Sequence, residues 1–171
     1  MARSNIPSLF VIAALSFCLL SGGSVAQQRT LKEQVVGIWS LVSFDSTGAD
    51  GKKTAVFGAQ PKGILMIDAG GRYAMVLTDP GRPKWKSNLR TELTNEEFAA
   101  AAKGLVAQYG AWSVDEGSKV LTRKVEGALS PNLAGTEQKV TFGLSGDELT
   151  VIDANSGVTG GRTETIYRRA K

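Results

Sequence analysis

The chain has 171 residues, 20 lysines and arginines against 16 acids, one cysteine and no histidine. That length suits one domain with a full core, and the missing histidine removes the commonest metal ligand and the commonest general base near neutral pH. The net charge of +4 is scattered, with no run of more than two cations, so composition argues against a nucleic-acid partner.

Residues 1–26 read as a secretory signal peptide. Arg3 is a thin positive start, Leu9 to Leu20 is an almost unbroken apolar run, and Ser24-Val25-Ala26 places small residues before a cleavage point at Gln27. The run is shorter than the roughly 20 residues of a bilayer crossing, so no transmembrane anchor is expected. Lipid attachment at Cys18 is disfavoured by the bulky Phe17 before it. Without these 26 residues 145 remain, as a single domain over 27–171, with no thiol, no disulfide and 19 basic residues to 16 acidic. The expectation is an exported protein, periplasmic or secreted, held together by packing alone.

Leu31, Val35 and Val36 are spaced for a short helical turn. Gly37–Phe44 then alternates and is rich in β-formers, and Thr54–Phe57 is a weaker strand. Ile64–Ile67 and Tyr73–Thr78 flank Asp68-Ala69-Gly70-Gly71, a hairpin loop. Asp79–Arg90 is a basic loop holding Pro80, Pro83 and Trp85. Thr94-Asn95-Glu96-Glu97 is a capping box, which predicts a helix from about Asn95 to Ala107. Five strands follow: Tyr109–Val114, Val120–Ala128, Thr136–Leu144, Leu149–Ile152 and Thr163–Arg169, separated by Gly-, Asp- and Asn-containing turns. Eight or so short strands joined mostly by tight turns predict an all-β fold, an antiparallel meander closed into a barrel with one inserted helix. Closure removes the sheet edges that would otherwise template aggregation. A β-sandwich is the other architecture considered.

Strand parity selects inward-facing candidates. Tyr73, Met75 and Leu77 form one row; Trp112 with Val114, Leu121 with Val125, and Val140 with Phe142 and Leu144 form others. Parity leaves the facing of Met66 open. Trp39, early in the first long strand, is expected to stack with Arg168 or Arg169 of the last and plug one barrel end. Arg123 shares a face with Leu121 and Val125. If buried it needs an anion, from Glu137 or from a ligand carboxylate; at a strand end it would reach water instead. Trp85 either lies across the barrel mouth or packs on the helix. No nucleophile–base pair, metal-spaced cluster or phosphate loop is present in the sequence, although Glu137, Tyr73 or Tyr109 could act as an acid or base in an apolar cavity.

Five ordered pieces carry a wider likeness: GIWSLVSF from Gly37, FGAQPKGILMIDAGGRYAMVL from Phe57, YGAWSVDE from Tyr109, VEGALSPNLAGTEQ from Val125 and LSGDELTV from Leu144. In these the chain resembles the bacterial and fungal lipocalin-like domain family. The resemblance implies a lipocalin-like barrel, often encoded beside secondary-metabolism or stress-related genes, and barrels of related shape include cyclases and isomerases. Family members often carry histidine just before the Val-Glu-Gly piece, where Arg123 and Lys124 stand here. Leu133 stands where they often have tryptophan, and Val140 or Thr141 where they often have arginine. These departures leave the cavity less equipped for proton transfer.

The sequence therefore predicts a barrel that binds a small, mostly apolar molecule with an anionic group near Arg123. Tyr73, Met75, Trp112, Arg123, Val125 and Phe142 are the expected ligand-binding residues, with no cofactor and no metal. The alternatives are a cyclase- or isomerase-type enzyme using Tyr or Glu, and a structural or stress protein with a filled core and no ligand. A cavity above about 300 Å³ would distinguish a carrier from a filled core.

Overall fold

The structure, a computed structural model, describes residues 29–171. The leader, its Cys18 and the expected cleavage point lie outside the described residues. The chain enters through α1, Leu31–Val35, whose N-terminus is closed by a reciprocal capping box between Thr30 and Glu33. So short a helix is marginal alone. It is held because Val35 is fully buried against the barrel end and its carbonyl accepts the Trp39 indole N–H at 2.9 Å.

Eight strands form the barrel wall: β1 (Gly37–Thr47), β3 (Lys62–Ile67), β4 (Arg72–Thr78), β5 (Leu105–Asp115), β6 (Val120–Ala128), β7 (Glu137–Ser145), β8 (Glu148–Asp153) and β9 (Arg162–Arg169). Every neighbouring pair is antiparallel, and β1 pairs with both β3 and β9, so the sheet closes on itself. A ninth strand, β2 (Lys53–Ala55), pairs only with Asp45–Thr47 of β1 and lies outside the ring. The meander and its closure are as the sequence predicts. A bulge between Leu41 and Ser43 shifts the β1–β9 register, which lets one long strand bend while serving two neighbours.

Gly37 opens β1 at φ +148°, and a Cβ there would lie 2.5 Å from Arg169 Nη1. The positive φ and the Arg169 guanidinium seated beside this position together favour glycine there.

The helix ends earlier than its pattern suggests. α2 is Asn95–Lys103, capped by Thr94 and Glu97, with Gly104 as its C-cap. The three residues after that cap are drawn into β5, where Leu105, Val106 and Ala107 pair with Thr78, Leu77 and Val76. The ladder bonds and burial on β4 outweigh the weak helical preference of a glycine-interrupted run.

The hairpins 68–71, 116–119 and 146–147 lie at the α1 end. The longer connections, including 79–104, 129–136 and 154–161, lie at the other, which is the wide mouth. Among the described residues no helix is long and apolar enough to cross a membrane.

Candidate functional site

Alternation along each strand fills the interior. Trp39, Leu65, Ile67, Tyr73, Met75, Trp112, Leu121, Val140, Phe142, Leu149 and Tyr167 are all buried there. At the α1 end the Arg169 guanidinium lies over the Trp39 ring and donates to the Val36 and Gln34 carbonyls, at 3.0 and 2.7 Å. The plug uses Arg169; Arg168 points outward.

Midway along the barrel sits one charge. Arg123, 8% exposed, projects inward from β6 between Leu121 and Val125. Its Nη1 approaches the Met75 thioether at 3.7 Å, and its Nη2 lies 3.9 Å from an Asp153 carboxylate oxygen, an ion pair too long to be a good hydrogen bond. Its Nε has no hydrogen-bond partner among the described residues. The expected partner Glu137 does not supply the anion. It is exposed on the outer wall, opposite Lys124 in the β6–β7 register, because its parity is the reverse of Arg123's.

Two phenols face the same hollow. The Tyr167 hydroxyl donates to Met75 Sδ at 3.3 Å, and the Tyr73 hydroxyl is buried without a partner. Burial pushes the Tyr167 phenol far above its ordinary range and pushes Tyr73 up too, against an opposing pull from Arg123 in both cases. Both remain neutral donors at physiological pH. Two donors, from Arg123 and Tyr167, thus converge on one thioether, a weak acceptor. Beyond them Gln108 bonds Gln138 across β5 and β7 at 3.0 Å.

The hollow is bordered by Tyr73, Trp112, Arg123 and Tyr167, with Leu65, Ile67, Leu121, Val140 and Val151. It holds about 10 Å³, room for about one water molecule. Between the hollow and the filled barrel that the sequence left open, the interior is nearly filled, since large inward side chains from opposite walls interdigitate across an eight-stranded ring.

All six residues expected to bind ligand are buried and point inward. Tyr73, Trp112 and Arg123 border the hollow, and Met75 touches it through Arg123 and Tyr167. Val125 and Phe142 are buried but do not border it. The Trp112 ring is fixed by its N–H bond to the Asp68 carbonyl, 3.0 Å. Tyr167 and Asp153 were not among the candidates. The Thr163, Thr165, Tyr167, Arg169 alternation could have found the former, whereas Asp153 ends β8 and has no sequence signal. Tyr109 lies on the outer wall, away from the hollow, and among the described residues no carboxylate borders the hollow itself.

At the mouth, Trp85 packs on Phe98 of α2 with centroids 6.3 Å apart, and the Arg90 guanidinium lies over the Phe98 ring, 5.8 Å from its centroid. A shallow open cleft of about 500 Å³ runs beside it, bordered by Asp79, Arg82, Lys84 and Trp85.

Residues 36–169 match a family model, that of the lipocalin-like domain. No curated protein matches the chain.

Proposed function

This chain belongs to the lipocalin-like domain family, and we propose that its barrel binds a small, mostly apolar molecule through an acidic or other oxygen-bearing group seated at Arg123. One observation carries the reading: a guanidinium buried in an apolar interior keeps a donor without an acceptor, beside the equally unpartnered Tyr73 hydroxyl. Burying such groups unpaired is unfavourable by several kcal/mol, and a barrel evolved only to be solid would be served better by apolar side chains. A ligand carboxylate could accept from Arg123 and Tyr73 together.

Room comes from Met75. Its unbranched side chain has several accessible rotamers, and turning it away releases the Arg123 and Tyr167 donors while enlarging the hollow. The ligand's apolar part would then lie among Leu65, Ile67 and Trp112, toward the barrel wall. Export belongs to the same proposal and is supported by the leader-like residues 1–26. An N-terminus at Gln27 in protein recovered outside the cytoplasm is the expected result.

The test is a matched titration followed by tryptophan fluorescence, with hexanoate and hexan-1-ol as probes. Hexanoate is expected to bind at least tenfold more tightly, and Arg123→Leu to abolish that preference. Equal affinity for acid and alcohol, or a preference that survives in Arg123→Leu, overturns the anionic seat. A filled-core protein with no ligand is the second reading, favoured by the 10 Å³ hollow. Failure of both probes, and of any molecule to co-purify in native mass spectrometry, would support it.

A further inference from the structure

The outer wall of the barrel is divided. On β6–β9 the outward positions carry Lys124, Glu126, Lys139, Glu148, Glu164 and Arg168. On β1, β3, β4 and β5 the central outward positions are uncharged and mostly apolar, with Lys62 and Arg72 at the two ends. One hydrogen-bonded row crosses this face as Ile38, Met66, Ala74 and Tyr109, each directly opposite the next. The adjacent row runs Ile64, Val76 and Ala107. Parity places both rows outside, because Leu65, Tyr73, Met75 and Leu77 point in. Met66, whose facing the sequence leaves open, is therefore a surface residue. Ile38, Met66, Val76 and Tyr109 are 49%, 43%, 39% and 53% exposed.

Tyr109 is pre-set for contact. Its partner across β6 is Gly127, where a Cβ would lie 2.6–2.8 Å from Cε1, Cζ and Oη. The ring lies over the glycine, so a large aromatic surface is presented with little side-chain freedom left to lose. Such rigid aromatic groups dominate protein interfaces.

We propose that this face is where two copies of the chain pair. The charges bordering it decide between occupants. Arg72 is paired with Glu126, Lys124 stands opposite Glu137, and Arg168 stands opposite Glu148. The border thus carries charges of both signs, while Lys62 stands opposite the uncharged Thr78. An anionic membrane or an acidic partner would call for unbalanced cations there. A neutral apolar face related to itself by a two-fold axis needs no complementary charge. The four large side chains leave about 400 Å² uncovered per copy, the size of the largest apolar patch on an ordinary protein, which is often a functional one. Two copies with their flanking alanines bury on the order of 1,000 Å², the lower bound for a specific interface. The dimer is accordingly weak and depends on concentration. This inference is independent of the interior site.

Sedimentation equilibrium tests it on protein expressed from the full sequence, in the form in which it accumulates, its mass read by mass spectrometry. The wild type is expected to move from one to two copies between micromolar and submillimolar concentration. Met66→Lys and Val76→Lys should weaken association at least tenfold without shifting the thermal midpoint, since both side chains already face water. Gly127→Ala, which displaces the Tyr109 ring, should weaken it as well, and Thr141→Lys on the opposite wall should leave it unchanged. A wild type that stays monomeric throughout overturns the proposal. So does association that persists in Met66→Lys, or a monomer that binds neutral lipid vesicles through this face.

Discussion

The Arg169 guanidinium carbon sits 4.1 Å from the centroid of the Trp39 ring, joining the last strand to the first at the narrow end. The same guanidinium bonds the carbonyls of Gln34 and Val36, which follow or end α1. One side chain therefore ties the closing strand pair to the cap that covers it.

Arg169→Ala is expected to destabilise the barrel by about 2 kcal/mol, combining a lost cation–π contact with two carbonyls left without their donor. Arg169→Lys should recover less than half, because an ammonium cannot stack flat and bond both carbonyls in one geometry. Urea unfolding of the two variants measures this; full recovery by lysine would mean that charge alone matters.

Arg123 should behave in the opposite sense. Replacing a buried charge that has only a long ion pair to Asp153 with Met fills similar volume and removes the desolvation penalty. Arg123→Met is expected to be neutral or to stabilise by about 1 kcal/mol, while binding of hexanoate is lost. A strongly destabilised variant would show that the guanidinium is held for structure.

Stability should fall in alkali through the buried phenols. Burial raises the Tyr167 phenol well above the ordinary tyrosine value of about 10 and raises Tyr73 in the same direction. Above pH 10 the unfolded chain loses these protons while the folded one keeps them, so stability is full below 10 and declines as pH rises past it. Tyr167 alone should account for about 1.4 kcal/mol at one pH unit above 10. Tyr167→Phe should flatten the decline measured by urea midpoints between pH 9 and 11.

At the mouth, Glu97 both closes the α2 capping box and accepts the Lys86 backbone N–H at 2.9 Å. Thr94→Ala is expected to cost about 1 kcal/mol of helix stability. Because Glu97 links that cap to the Trp85 loop, amide exchange should accelerate over residues 84–90 as well as over α2. Exchange confined to α2 would show that the loop is held by the Trp85–Phe98 packing alone.

The strand alternation, the hairpin loop 68–71 and both ends of the chain's strand-rich region are local properties, and they were legible before any coordinates. Parity from Leu121 to Val125 put Arg123 on the inward face but left open whether it would reach water at a strand end, and only its burial in the closed barrel decided that. Thr94 and Glu97, a local signal, announced the start of α2. Its end was not legible, because Leu105–Ala107 choose between helix and strand according to whether β4 lies beside them.

What the linear order of residues determined by itself was the antiparallel barrel, its helical insertion and the inward direction of Tyr73, Met75 and Trp112. Only the tertiary structure decided that Asp153 rather than Glu137 approaches Arg123, that Met66 joins an outward apolar face, and that the interior shrinks to about 10 Å³. The physical reason is range. Facing follows from a two-residue period along one strand, whereas partnership and volume depend on how side chains from opposite walls meet after eight strands have closed.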